Sequence, residues 1–214
     1  DLERWDKLYY VGADAKESGV LQGELAAAYL KAHPEADRNQ DGVIQYVVLE
    51  GEAGHQDAIL RTEYAASTLK ERGIALEKLG YALANWNRSQ AQTQVQQLLQ
   101  SYGTRIELIL ANNDDMALGA LDAYRASNIP LPPIFGIDGT EPGLSAVRDQ
   151  SLTGTVKNNG IGQAEAMLSL ALSLAAGEKS AYTLDRGKYI RIPYEAVSAD
   201  KDSSITARST ELSR

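Results

Sequence analysis

The segment 37–45 combines residue types and a spacing that suit a divalent cation. Side-chain oxygens stand at positions 1, 3, 5 and 9 of a calcium-loop pattern, as Asp37, Asn39, Asp41 and Gln45. Gly42 occupies position 6, where such a loop turns sharply, and Val43 can offer its backbone carbonyl at position 7. Calcium prefers oxygen ligands of this kind, so the segment predicts a calcium site.

The chain after this loop departs from a helix–loop–helix calcium site. Such a site needs a bidentate Glu at position 12, on a helix. Position 12 here is Val48, inside the apolar run 44–49, which has the character of a buried strand. The closing carboxylate must therefore come from elsewhere in the chain. The alternative interpretation is a solvated Asx-turn without an ion, because Asp, Asn and Gly are ordinary turn residues.

Strands and helices alternate along the chain with short connections. The predicted strands are 8–11, 44–49, 79–83, 107–111, 134–137, 154–156 and 188–192. The predicted helices are 17–33, 56–72, 89–101, a helix capped by Asp114 or Asp115 that ends near 126, 142–149, and the unusually apolar 163–176. This alternation predicts an α/β fold with a doubly wound parallel sheet and helices on both faces.

Polar side chains follow the carboxyl ends of several predicted strands, which is the edge where open parallel sheets bind ligands. These residues are His55, Asp57, Trp86, Asn113, Asp138 and Asn158. Arg61 lies one helical turn after Asp57 and belongs to the same set. Carboxylates, amides, a guanidinium and a flat ring suit a neutral sugar, whose hydroxyls donate and accept and whose C–H face stacks. Taken singly, each residue has a structural alternative, such as an Asp that only complements the helix dipole.

Several motifs resemble those of the periplasmic glucose/galactose-binding proteins, in order and at matching spacing. They are the segments 9–14, 37–49, 49–61, 110–114, 135–138 and 154–158. The resemblance runs from about Leu8 to Tyr194 and implies that the seven strand-end residues contact a sugar. In that family a calcium loop leads into a strand and a distant Glu completes the site. The resemblance therefore implies a Ca²⁺ cofactor, with Glu107 as its last ligand.

The resemblance also implies a periplasmic-binding-protein-like fold of type I, mainly the carboxyl-terminal lobe with part of the amino-terminal lobe. The expected units are 8–158 as the sugar- and calcium-binding lobe and 159–187 as a segment of the otherwise missing lobe. The segment 188–198 is expected to return to the carboxyl-terminal, sugar- and calcium-binding lobe. The segment 199–214 is expected to form a flexible tail. The charged start carries no secretory signal, so we expect a chain that begins inside its gene.

Composition excludes several classes of function. A formal net charge of −8 argues against nucleic-acid binding. The absence of cysteine excludes a disulfide framework, thiol catalysis and thiolate-bound zinc. His33 and His55 are the only histidines, and no Gly-x-Ser-x-Gly or phosphate-binding glycine string is present. An enzyme is therefore not expected.

The resemblance implies a calcium-containing solute-binding protein for D-glucose or D-galactose that feeds an ABC transporter. It is expected in the periplasm or as a cell-surface lipoprotein, with the transporter's membrane subunits as partners. A chemoreceptor, and thus a role in chemotaxis, is a further partner that the family suggests. The alternative function is the effector-sensing domain of a sugar-responsive transcription regulator. A DNA-binding segment upstream in the gene would favour the regulator, and a signal peptide would favour the transporter component.

Overall fold

A six-stranded sheet forms the centre of the protein. The structure, a computed structural model, describes residues 5–199. The sheet contains β2 (Ile44–Glu50), β3 (Leu76–Leu83), β4 (Leu108–Ala111), β5 (Ile134–Phe135), β6 (Gly154–Lys157) and β8 (Glu195–Ser198). Its order is β3-β2-β4-β5-β6-β8. The first five strands are parallel and β8 runs antiparallel to β6, so most strands direct their carboxyl ends to one edge.

Helices cover both faces of this sheet. They are α1 (Ala15–Ala32), α2 (Gln56–Glu71), α3 (Arg88–Tyr102), α4 (Asp114–Ser127) and α5 (Glu141–Arg148), whereas α6 (Gly160–Ala176) packs elsewhere. Strand β2 shows how the two faces are divided, because successive side chains of a strand point to opposite faces. Val47 and Leu49 pack with α3 and α4, whereas Tyr46 and Val48 pack with α1 and α2. The predicted doubly wound α/β fold is confirmed.

Helices α1 and α2 pack closely because glycines of α1 face α2. A Cβ on Gly23 would lie 2.7 Å from the carbonyl oxygen of Ala65, closer than real Cβ atoms approach. This close approach fixes the position of α2, and with it the side chains that α2 directs toward the carboxyl edge.

A second, smaller sheet lies apart from the first. Strands β1 (Tyr10–Gly12) and β7 (Tyr189–Arg191) pair in parallel with each other. Helix α6 packs here, with Ala166 and Leu170 against Ile190 and Ile192. Its other side leaves large apolar side chains exposed, namely Ile161, Met167, Leu168, Leu172 and Leu174.

The predicted units 8–158 and 188–198 each include one strand of the small sheet. Strand β1 belongs to the small sheet, and the segment 188–198 contains two strands, since β7 joins the small sheet and only β8 reaches the large one. Pro193 lies between them and has no backbone N–H to continue a ladder. The assignment of segments to lobes stays a prediction, and the predicted tail lies outside the described residues except for Ala199.

Every other predicted strand and helix has a counterpart, and the largest differences at their ends are three residues, at the starts of β3 and α6. The predicted cap of α4 is wrong. Asn113 caps this helix by accepting a hydrogen bond from the backbone N–H of Met116, and Asp114 is already helical. Within residues 5–199 no helix is both long and apolar enough to cross a membrane.

The carboxylate of Asp114 is fully buried at the start of α4. One oxygen accepts hydrogen bonds from the backbone N–H and the hydroxyl of Thr140, at 2.7 and 3.1 Å. The other accepts from the hydroxyl of Thr155. Burial raises the pKa of Asp114 from 3.8 to about 6, although these hydrogen bonds act to lower it. The folded protein therefore binds a proton at Asp114 more tightly than the unfolded chain does.

The first prediction concerns this pKa. A pKa raised by folding stabilises the fold below about pH 4, and this stabilisation is lost as the pH rises through about 6. The difference from the ordinary value corresponds to about 3 kcal/mol. Asp114→Asn should remove this part of the pH dependence, measured by urea unfolding between pH 4 and 7. Asp115 is the exposed neighbour of Asp114. The control Asp115→Asn should keep the wild-type slope of unfolding free energy against pH. Equal slopes in wild type and Asp114→Asn would contradict the assignment.

Candidate functional site

Arg61 is the centre of the carboxyl edge and is only 4% exposed. Its Nη1 donates to the carbonyl of Asn112 at 2.7 Å and to Oδ1 of Asp138 at 3.1 Å. Its Nη2 donates to the hydroxyl of Tyr194 at 3.3 Å and lies 3.8 Å from a carboxylate oxygen of Asp57. A buried charge is destabilising unless it is paired and hydrogen-bonded. These four partners contact Nη1 and Nη2, whereas Nε is buried without a hydrogen-bond partner among the described residues.

Trp86 lies beside this guanidinium in a backbone conformation that few residues adopt, with φ of 62°. Its ring centroid is 5.8 Å from the Arg61 guanidinium carbon, and its ring meets the His55 ring edge-on at 5.2 Å. The indole lies over Gly51, where an added Cβ would come within 2.2 Å of the ring. Gly51 therefore provides the space in which the half-buried ring lies.

Asp138 also has a backbone conformation that is unusual for a residue with a side chain, with φ of 115°. Its side chain is 31% exposed. Burial raises the pKa of Asp138, and the Arg61 guanidinium opposes that rise. Its backbone carbonyl accepts from the N–H of Asn158 at 2.9 Å, which places that predicted residue beside it.

Two predicted residues also have structural roles. His55 caps α2, because its Nδ1 accepts from the backbone N–H of Asp57 at 3.2 Å. That contact places the proton of the neutral ring on Nε2. The amide of Asn113 caps α4 and also donates to the carbonyl of Trp86 at 3.3 Å. All seven predicted residues thus belong to one connected cluster, while their contact with a sugar stays a prediction.

The sequence did not reveal two residues that hold Arg61. Tyr194 lies between β7 and β8, far along the chain from the motifs at the strand ends. Asn112 offers its carbonyl to Arg61, and its side chain accepts from the N–H of Gly51 and donates to Thr62. Its place next to Asn113 at the end of a buried strand was the one available signal.

A cavity of about 220 Å³ adjoins this cluster. It lies between the small sheet and the beginnings of α1 and α2, and it includes Asp57 among its lining residues. Tyr10 and Tyr189 of the small sheet line its other side together with Arg191. The candidate site is therefore concave on the side that faces the small sheet.

The predicted metal residues lie in one hydrogen-bonded loop. Oδ1 of Asn39 and both oxygens of Asp37 accept from backbone N–H groups of Asp41 and Gly42, and Oδ1 of Asp41 accepts from the N–H of Val43. The amide nitrogen of Asn39 lies 3.0 Å from Oδ2 of Asp41 and 3.1 Å from Oε1 of Gln45. A neutral hydrogen-bond donor is thus already directed toward these oxygens.

Glu107 joins this loop from across the chain, as the sequence prediction requires. It is 1% exposed. Its Oε1 accepts from the backbone N–H groups of Arg38 and Asn39, and its Oε2 accepts from that of Gln45. Within residues 5–199, however, no three acidic, histidine or cysteine side chains are close enough together to hold a metal ion. The donor types fit calcium, whereas the three carboxylates do not converge on one point.

Comparison with known proteins agrees with this architecture. A model of the periplasmic binding protein domain matches residues 1–179. The chain therefore belongs to the periplasmic binding protein family, which confirms the family resemblance in the sequence.

Three similar proteins illustrate the match. The D-galactose/methyl-galactoside binding periplasmic protein MglB of Haemophilus influenzae is 41% identical over 203 residues, which cover 93% of this chain and 60% of that protein. A xylitol-binding protein of Mycolicibacterium smegmatis is 34% identical over 159 residues, which cover 74% of this chain and 45% of that protein. The crystal structure of an ABC transporter solute-binding protein from Bacillus halodurans with bound myo-inositol is 30% identical. Its TM-score is 0.73, and the match covers 89% of this chain and 60% of the Bacillus halodurans chain.

The second prediction tests the role of Tyr194 at Arg61. Tyr194→Phe removes an acceptor from a buried charge and should lower the free energy of unfolding by about 1.5–3 kcal/mol, measured by urea unfolding. Tyr124→Phe is the matched control, because the Tyr124 hydroxyl is buried without a hydrogen-bond partner among the described residues. That control should be neutral or stabilising. Equal effects of the two substitutions would contradict the contact between Tyr194 and Arg61.

Proposed function

We propose that this chain is part of a periplasmic solute-binding protein that binds a neutral monosaccharide and feeds an ABC transporter. The observation that carries the proposal is the buried Arg61, which lies between Asp57 and Asp138 and beside the Trp86 ring. The chain spans between 45% and 60% of the length of the three similar proteins named above. The activity of the whole protein is therefore inferred from one part of it.

The charges of this cluster favour an uncharged ligand. An anion would meet the carboxylates of Asp57 and Asp138, and a cation would compete with Arg61 for them. A sugar hydroxyl can donate to a carboxylate and accept from an N–H group at the same time. The ring of Trp86 adds a flat surface for the C–H groups of a sugar.

The choice of D-glucose or D-galactose rests on the relative that is 41% identical, whose name refers to D-galactose and methyl-galactoside. The xylitol-binding relative and the structure with myo-inositol support the wider class of small polyhydroxy compounds. The transporter's membrane subunits and a chemoreceptor follow as proposed partners, and the periplasm follows as the proposed location.

The third prediction ranks ligands and tests Asp138. Glucose and galactose should bind more tightly than ribose or maltose, measured by calorimetry or NMR titration on this chain. Asp138→Ala should cost about 1–3 kcal/mol in binding, because it removes one partner of Arg61 and the proposed partner of a ligand hydroxyl.

Asp149→Ala is the control for this prediction. Asp149 is an exposed residue that directly follows α5. The substitution Asp149→Ala should therefore leave the affinity for the sugar unchanged. A titration that ranks ribose or maltose first would overturn the choice of sugar. No effect of Asp138→Ala would overturn the site.

We also propose that Ca²⁺ binds the loop 37–45 with Glu107 as a distant ligand. The proposed side-chain ligands are Asp37, Asn39, Asp41, Gln45 and Glu107, and Val43 would add its carbonyl. The support is chemical, since the oxygens of Asp41 and Gln45 already face an amide nitrogen that a cation could replace. A hard cation prefers such oxygen ligands.

The fourth prediction concerns this metal. Calcium at roughly a hundredfold above its dissociation constant should stabilise the fold by about 2.7 kcal/mol, measured as a rise in melting temperature. Asp41→Ala and Glu107→Gln should each abolish that rise. Glu35→Ala is the control, because Glu35 is an exposed acid just before the loop that pairs with His33 instead. A full rise in Glu107→Gln would show that Glu107 is not a ligand.

A further inference from the structure

The turn that carries Asp138 has an unfavourable backbone conformation, which contacts from outside the turn must stabilise. Asp138 has φ of 115° and the next residue, Gly139, has φ of 64°. Residues with side chains rarely adopt such a conformation, so the surrounding structure must impose it. Asp138 also supplies the carboxylate that pairs with Arg61 at 3.1 Å.

Asp114 is bonded on both sides of this turn. Its backbone N–H donates to the carbonyl of Ile137 at 2.7 Å, immediately before Asp138. Its carboxylate accepts from the backbone N–H of Thr140 at 2.7 Å, immediately after Gly139. Asp138 and Gly139 are thus held between two contacts to one residue of α4.

The carboxylate of Asp114 also connects the turn to the neighbouring strand. Its second oxygen accepts from the hydroxyl of Thr155 in β6. The following residue of β6, Val156, accepts from the backbone N–H of Asp138 at 2.8 Å. The turn is therefore fixed relative to both β6 and α4.

The space around this carboxylate is shaped by two glycines. A Cβ on Gly136 would lie 2.4 Å from Oδ1 of Asp114, and one on Gly143 would lie 2.2 Å from Oδ2. Among residues 5–199, no ion pair includes Asp114. A buried acid without a cation is costly unless its hydrogen bonds are satisfied, and here every such bond leads to the turn or to β6.

We infer that Asp114 is a positioning residue for ligand binding, which holds the Asp138 carboxylate in place for Arg61 and for a ligand hydroxyl. This inference rests on the proposed sugar-binding function. An amide at position 114 has one acceptor oxygen and presents an NH₂ group to donors that need an acceptor. Asp114→Asn should therefore release the turn although the size of the side chain is unchanged.

The first arm of the test needs no ligand. Amide hydrogen exchange on this chain should accelerate about tenfold or more in Asp114→Asn at Thr140, Asp138 and Asn158, the loss expected for about one hydrogen bond. The amide of Asn112, which donates to Leu49 in the adjacent strand, should keep its rate. Thr155→Val removes only one donor and should give a smaller acceleration at the same amides. Uniform acceleration throughout the chain would overturn the inference, because it would indicate a general loss of stability.

The second arm is a double-mutant cycle with glucose or galactose as the ligand. Asp114→Asn should weaken binding about tenfold, whereas Asp115→Asn should change it less than about twofold. In the Asp138→Ala background, Asp114→Asn should have almost no further effect, because coupled residues are not additive. Fully additive effects would overturn the inference. Absence of sugar binding by the wild-type chain would instead refute the proposed function, and the exchange arm would still decide the role of Asp114.

Discussion

A guanidinium buried at the end of a parallel sheet needs acceptors for its charge, and the acceptors of the Arg61 Nη1 and Nη2 groups come from several elements of the carboxyl edge. Removing such a charge from water costs several kcal/mol even after relaxation. Arg61 is accommodated by a carbonyl after β4, a carboxylate after β5, a hydroxyl before β8 and a carboxylate one turn earlier in α2. These elements meet at Arg61, which therefore connects α2 to the turns after β4 and β5 and to the segment before β8.

This arrangement also connects the two sheets of the chain. Tyr194 lies between β7 of the small sheet and β8 of the large one, so the connection between the sheets contacts the guanidinium directly. The charge balance around Arg61 favours a neutral ligand, and the ring of Trp86 adds an apolar surface. Contacts from α4 and β6 hold the turn that carries Asp138, and Arg61 holds its carboxylate. The proposed recognition of a sugar and the architecture therefore depend on the same contacts.

The clustering of these residues could largely be predicted from the sequence, because polar residues at strand ends are local features. Asp57, Asn113, Asp138 and the loop around Asp41 follow their strands or glycines at short, recognisable distances. Tyr194 could not be predicted, because its contact with Arg61 joins residues 133 positions apart. The cap of α4 was assigned to the wrong residue for a local reason, since Asn and Asp are nearly equal as caps. Pro193 marks the division of the last segment into two strands, whereas the pairing of β7 with β1 joins distant parts of the chain and has no local signal.

The indole signals of the two tryptophans test the central claim most directly. Trp86 lies beside Arg61, whereas Trp5 is exposed and lies before β1. In two-dimensional NMR spectra recorded during a glucose or galactose titration, the Trp86 indole N–H should shift and saturate while that of Trp5 stays in place. Arg61→Lys keeps the charge but lacks the planar set of donors, and it should abolish the shift. A Trp86 signal that is unchanged by sugar, or that shifts equally in Arg61→Lys, would contradict this account.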